Sequence, residues 1–176
     1  MIEANLDGAV EDQVAGEIVR LHLALAAHVA LERVLLAFGD EAPNWLGQPA
    51  GTDARGLRRY LCDLELRVNP EGRAAFRKSA IVSLGDVRSR HGGWTIPIEW
   101  RAASLAPLFP VFSGQLIIDA ERIVTDGHYA PPFGVVGYFL DRALLSIAAR
   151  GTARWFLGRV AGVVGPAGSA PMLPGS

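Results

Sequence analysis

Trp94-Thr95-Ile96-Pro97-Ile98-Glu99-Trp100-Arg101 is the cleanest run of period two in the chain. Successive side chains of a strand point to opposite faces, so Trp94, Ile96, Ile98 and Trp100 share one face and Thr95, Pro97, Glu99 and Arg101 the other. The parity is strongly specified: a slip of one residue would desolvate Glu99 and Arg101 together. Pro97 cannot donate to a ladder, and the pattern therefore predicts an edge or a bulge there.

The sequence on either side repeats the theme. Tyr60, Cys62, Leu64, Leu66 and Val68 alternate with Leu61, Asp63, Glu65 and Arg67, and Asn69-Pro70-Glu71-Gly72 reads as a turn. Phe76 to Leu84 forms a second run, followed by polar residues and a turn at His91-Gly92-Gly93. Val111 to Ile118 and Arg122 to Tyr129 form two more, joined by Asp119-Ala120-Glu121. Short strands at this spacing predict an antiparallel meander. Asp40 to Gly56, rich in Gly, Pro, Asp and Asn, reads as a loop holding Trp45 and Leu46.

The two flanks carry the helices. Glu17 to Phe38 has the Ala/Leu content of one long helix, yet Val19, Leu21, Leu23 and Leu25 alternate as a strand does. Val29 to Phe38 suits an amphipathic helix that Gly39 would stop. After Pro131-Pro132, Phe133 to Gly162 reads as helix, with Val136, Leu140, Leu144, Ile147, Gly151, Trp155 and Gly158 on one broad face. A polar stripe of Asp141, Thr152 and Arg159 separates it from a second apolar stripe, Tyr138, Leu145, Phe156 and Val163. Monomers seldom expose a large contiguous apolar patch, so either the 40–56 loop with the short helix or a second copy of the chain, as a homodimer, is expected to cover that stripe.

Composition bounds the function. The chain has 176 residues, half of them apolar, which excludes a disordered chain. Seventeen basic against eighteen acidic residues leave a net charge of −1 and argue against nucleic acid as a partner. Cys62 is the single cysteine, so a reducing compartment is the default. The first seventeen residues hold five acidic and no basic side chains, the reverse of a secretory signal. The uncharged stretch from Ala102 to Ile118 is too short to cross a bilayer and contains Pro107 and Pro110. The expectation is a cytoplasmic protein with no integral membrane segment. All the basic residues except Lys78 are arginine, which reads as the composition of a GC-rich coding sequence because they are spread along the whole chain.

Strand, short helix, meander and one long C-terminal helix is a specific order. Two local stretches add to it: Ile96-Pro97-Ile98-Glu99-Trp100-Arg101-Ala102 with Leu108-Phe109-Pro110-Val111-Phe112 and Gly114, and Asp126-Gly127-His128-Tyr129-Ala130-Pro131-Pro132-Phe133-Gly134 with Gly137 and Asp141-Arg142. In these features the chain resembles the START-like (SRPBCC) superfamily, which includes polyketide cyclases, aromatases and lipid-transfer domains, and more closely its uncharacterised bacterial members. The resemblance runs from Glu17 to Val164. It implies an α+β helix-grip fold: a curved antiparallel sheet wrapped around the C-terminal helix, with a short helical segment after the first strand. It favours a first strand near 18–25 and a helix near 28–38. Residues 1–16 are then an acidic tail, 17–164 the ligand-binding domain and 165–176 a flexible tail.

The fold so implied holds a cavity between sheet and helix. Parity and the resemblance together place Trp45, Trp94, Ile98, Trp100, Phe112, Thr125 and Tyr129 on its sheet and loop side. Leu140, Leu144, Ile147, Gly151 and Trp155 line its helix side. The bland alternative for each aromatic is ordinary core, and for Thr125 a neighbouring carbonyl as partner. No metal site or cofactor is expected: His22, His28, His91 and His128 do not pair at ligand spacing, and no phosphate or dinucleotide loop is present. Cys62 reads as a small buried hydrophobe. The expected function is binding of a small hydrophobic or amphipathic molecule (a lipid, an isoprenoid or a polyketide-like compound) without assigned catalytic residues. The alternative is a cyclase or aromatase acting in the same cavity, for which Thr125, Tyr129 and Glu99 are the nameable proton movers.

Overall fold

A computed structural model describes residues 19–39, 45–67, 75–103, 111–130 and 142–166, with side-chain surroundings for 20–39, 45–63, 79–103, 111–129 and 150–166. The strands are β1 (Val19–Ala26), β2 (Gln48–Thr52), β3 (Arg58–Arg67), β4 (Ala75–Leu84), β5 (Arg88–Arg90), β6 (Gly93–Ala102), β7 (Val111–Asp119) and β8 (Arg122–Ala130). Helix α1 (Leu31–Phe38) follows β1, and α2 (Arg142–Val164) follows β8. The strands make one curved, open, antiparallel sheet in the order β1-β8-β7-β6-β4-β3-β2, with β5 paired beside β6. Its first and last strands in sequence are neighbours, and β1 and β2, the two edges, are the strands between which α1 lies in the chain. This α+β arrangement is compatible with a helix grip. The turn at 69–72, the helix start at Phe133 and most of both tails lie outside the described residues.

One-sided burial explains why the strands sit where they do. Along β6, Ile96, Ile98 and Trp100 are buried, Trp94 is half-buried, Glu99 is half-buried on the other face and Arg101 is exposed. The inner face is covered by α2, which packs on β1, β8 and β3 and against α1. From α2 it receives Ala153, Phe156, Leu157, Val160 and Val164; from α1 it receives Val34, Ala37 and Phe38.

Four points differ from the sequence reading. Within 40–56 lies β2, whose five residues are all exposed, and β5 is likewise exposed throughout. Neither buries a face, so neither shows alternation. Pro97 sits in an interior strand, not at an edge, but the bulge alternative holds: residues 85–87 lie opposite residues 96 and 97, one extra residue across from Pro97. Its carbonyl accepts a hydrogen bond from the Gly85 N–H at 2.8 Å, in the gap where β4 has ended and β5 has not begun. The N and O of an antiparallel residue face the same way, so the missing N–H falls on that gap and costs no ladder bond. Finally, Gly158 is exposed, Trp155 is half-buried and Thr152 is buried, while Phe156 and Leu157 face the core. The face of α2 that meets the sheet is therefore turned from the one the periodicity favoured. Phe156 of the second stripe is covered within the chain, by Trp45 and by the sheet.

Two facing glycines shape the interior. Gly114 and Gly127 are register partners on the inner face of β7 and β8. A Cβ at Gly127 would lie 2.4 Å from the Ser113 carbonyl oxygen and 2.8 Å from Phe112 Cζ; at Gly114 the same ring atom is again 2.8 Å away. The Phe112 ring thus occupies the space their side chains would fill. Gly127→Ala is expected to destabilise the fold by about 3 kcal/mol, the upper part of the usual range for overpacking. Gly158→Ala, with open space around it in a helix interior, is expected to stabilise by about 0.5–1 kcal/mol. Urea unfolding of both variants checks the opposite signs.

Candidate functional site

The inner face is a lattice of cross-strand rows. One row runs Tyr60, Val82, Trp100, Phe112, Tyr129; the next runs Leu84, Ile98, Gly114, Gly127, Leu21. Beyond these come Ile96, Leu116, Thr125, Leu23 and then Trp94, Ile118, Ile123, Leu25. Nearly every member is apolar, because every member shares the parity that α1 and α2 cover.

Aromatic contacts connect the sheet to the helices. Trp100 stacks on Phe112 with ring centroids 3.9 Å apart and 15° between planes. Phe156 of α2 meets Trp100 at 6.0 Å, Trp45 meets Phe156 at 6.5 Å, and Phe38 of α1 meets Trp45 edge-on at 5.3 Å. The Trp45 indole N–H donates to the Ala37 carbonyl at 2.8 Å, and the Arg159 guanidinium lies 5.2 Å above the Trp155 ring.

Of the residues expected to line a cavity, Trp94, Ile98, Trp100, Phe112, Thr125 and Tyr129 lie together on this face, and Trp45 joins them from the loop side. Gly151 and Trp155 are half-buried on α2. Leu140 lies outside the described residues, as do the side chains of Leu144 and Ile147. Phe156, Phe38 and Tyr60 belong to the same wall but were not among the expected lining residues. Helical periodicity puts Phe156 on a separate stripe, and the aromatic contacts between elements place it on this wall.

Two atoms stand out. Trp100 Nε1 and Thr125 Oγ1 are fully buried and have no hydrogen-bond partner among the described residues. Trp100 is 2 % exposed and Thr125 0 %. Their rows are four residues and two strands apart, which puts their Cα atoms about 16 Å from each other on a sheet of ordinary spacing. An indole N–H can only donate; a threonine hydroxyl can donate and accept.

The outer face is polar and wet. Asp126 pairs with Arg20 at 3.3 Å and His22 at 3.4 Å. Partial burial pushes its carboxyl pKa up, but the hydrogen bond from His22 and the charge of Arg20 outweigh this and hold it below the usual carboxylate range. Asp53 is also held low, first by the Leu57 N–H that it accepts at 2.9 Å and then by Arg55. Among the described residues, no three His, Cys, Asp or Glu side chains are grouped to hold a metal ion.

Cys62 continues the inner face of β3 and is 1 % exposed. Burial, the largest influence on it, pushes its thiol up to about 12 from 9.0. At pH 8 the folded protein is expected to react with iodoacetamide at least about a thousandfold more slowly than the unfolded chain, since the thiolate alone is the nucleophile. The same shift makes stability fall as pH rises from about 9 toward 12, where the unfolded thiol ionises first. Mass-spectrometric alkylation kinetics with and without urea measure the first effect; Cys62→Ala flattening the alkaline slope measures the second.

Compared with models of known protein families and with curated proteins, the chain finds no match, so the geometry of its two faces carries the functional reading.

Proposed function

We propose that the chain is a START-like, helix-grip binding protein whose inner face receives a small, apolar or amphipathic molecule between sheet and α2. The single observation that carries this reading is the pair of buried polar atoms, Trp100 Nε1 and Thr125 Oγ1, that have no partner among the described residues on an otherwise apolar wall. A buried group left without a partner costs about 1–3 kcal/mol, and an apolar group of the same shape would avoid that cost. A ligand that accepts from Trp100 or exchanges a hydrogen bond with Thr125 removes it. The element order and the sheet order support the family reading, and the row of Tyr60, Trp100, Phe112 and Tyr129 supplies the large aromatic surface such ligands use.

Neither orphaned atom touches solvent. Binding is therefore coupled to displacement of α2 from the sheet, with the apolar area of the ligand replacing that of the helix. A ligand burying about 300 Å² of apolar surface gains roughly 7 kcal/mol before ordering costs. The polar atoms then select among apolar molecules, since an unpaired donor in the complex would forfeit part of that gain.

Native mass spectrometry of freshly purified protein is expected to show an adduct that disappears on denaturation. The neutral dye N-phenyl-1-naphthylamine is expected to bind saturably, and to be displaced by the extracted adduct. Thr125→Val is expected to stabilise the free protein by about 1 kcal/mol, because the orphaned hydroxyl is gone. Trp100→Phe keeps the stacking surface, removes the donor and weakens the natural adduct more than the dye. No adduct and no saturable dye binding would establish the inner face as a filled core.

A further inference from the structure

The outer face carries a second feature, independent of the inner wall. A cleft of about 60 Å³ opens over β4, between β3 and β6, and its walls include Arg55, Arg59, Ser83, Glu99 and Arg101. Arg59 pairs in register with Ser83, which pairs with Glu99; Arg101 pairs with Ile81, one outer-face step along. The two arginines therefore flank β4 from opposite sides, with Cα atoms about 12 Å apart on ordinary sheet spacing. At that separation two extended side chains can meet above Ser83.

The arginines of this cleft are not equivalent. Arg55 is spent: it donates to both Glu99 oxygens, at 2.6 and 2.5 Å, and to Asp53 Oδ2 at 3.0 Å. That one guanidinium bridges the two carboxylates that line the cleft among the described residues, and Ser113 adds a hydroxyl hydrogen bond to Glu99 at 3.3 Å. Arg59 and Arg101 have no ion-pair partner among the described residues, and three arginines against two carboxylates leave the described lining with a net charge of +1. Ser83 forms its floor, 7 % exposed, and its hydroxyl makes no side-chain hydrogen bond among the described residues.

We propose that this cleft binds a phosphate group, free or carried as a monoester. Guanidinium forks pair with planar or tetrahedral oxyanions through two parallel hydrogen bonds. A carboxylate is satisfied by one fork. Two forks approaching from opposite sides, with a hydroxyl beneath, suit an anion that presents three or four oxygens. The volume admits one such group and not the body that carries it, which would project into solvent.

The test is a titration of the full chain with inorganic phosphate at constant pH and ionic strength, followed by amide chemical shifts. Saturable shifts centred on Ser83 and Arg101 are expected, with acetate at least about tenfold weaker. Arg59→Gln with Arg101→Gln is expected to lose at least about tenfold in affinity at an unchanged melting temperature, while Arg154→Gln, an exposed arginine on α2, changes nothing. Should the double variant lose its fold, Arg59→Lys and Arg101→Lys keep stem and charge but not the fork, and each is expected to weaken phosphate by about threefold. Glycerol 3-phosphate separates the sources: equal affinity assigns the site to the free anion, and tighter binding assigns it to a phosphoester. Shifts that do not saturate, that are matched by acetate, or that survive loss of both forks would overturn the proposal.

Discussion

The position of α2 over the sheet depends on the absence of two side chains. Gly114 and Gly127 face each other across β7 and β8, and only because neither has a Cβ can the Phe112 ring lie down on the sheet. That ring is the platform for Trp100, Trp100 meets Phe156, Phe156 meets Trp45, and Trp45 meets Phe38. Glycine weakens a strand by giving up a packing side chain. Here the loss is offset by four interlocked aromatic contacts, each ring of which buries far more area than the methyl groups left out. Where this column stands, the gap between sheet and helix is bridged. Two rows away, around Thr125, the neighbours Ile96, Leu116 and Leu23 are aliphatic, and no aromatic contact among the described residues joins that row to α2.

Arginines fix the helices at their ends as firmly as the aromatics fix them in the middle. Arg33 of α1 donates to the Gly165 carbonyl just past α2, and the Ala30 N–H donates to the Val164 carbonyl at 2.9 Å. Arg58 of β3 donates to the carbonyls of Gly39 and, at 2.7 Å, Phe38, closing α1 in turn. Arg159 reaches the Trp45 carbonyl at 3.2 Å. The last carbonyls of a helix have no internal partner and carry the negative end of its dipole, so a guanidinium is the fitting cap. Composition alone read the arginines as a coding bias. Three of them tie α1, α2, β3 and the Trp45 segment to one another.

What the sequence revealed follows from where burial is one-sided. β6 alternates because one face meets α2 and the other water, and β3, β7 and β8 are legible for the same reason, whereas the alternation of β1 competes with an Ala/Leu content that equally suits a helix. β2 and β5 are exposed on both faces, so Gln48-Pro49-Ala50-Gly51-Thr52 and Arg88-Ser89-Arg90 carry no period to read. The helix fails in the opposite way: apolar on two sides, it offers no contrast by which to choose Phe156 and Leu157 over Trp155 and Gly158. The parity of Thr125 is legible, but its lack of a partner is not, since that depends on what lies across the interior. The convergence of Arg59 and Arg101 is hidden too. They are 42 positions apart in the chain and line one cleft only through the register of β3, β4 and β6.

The two faces solve opposite electrostatic problems, and this decides what each can recognise. On the outer face water screens every charge, so an isolated ion pair such as Arg20 with Asp126 adds little to stability. Recognition there needs several donors converging on one group. On the inner face screening is absent, and one hydrogen bond carries more weight than it would outside. A domain of this size is stable by only about 5–15 kcal/mol, so two buried groups that find no partner among the described residues, at about 1–3 kcal/mol each, would take a large fraction of the total. Substituting valine at 125 or phenylalanine at 100 would recover it without disturbing the aromatic column. Left unpaired, the polar atoms of Thr125 and Trp100 lower the stability of the fold relative to any state in which they find a partner. Under the proposed binding function, that difference in free energy is what a bound molecule would draw on to enter between sheet and helix.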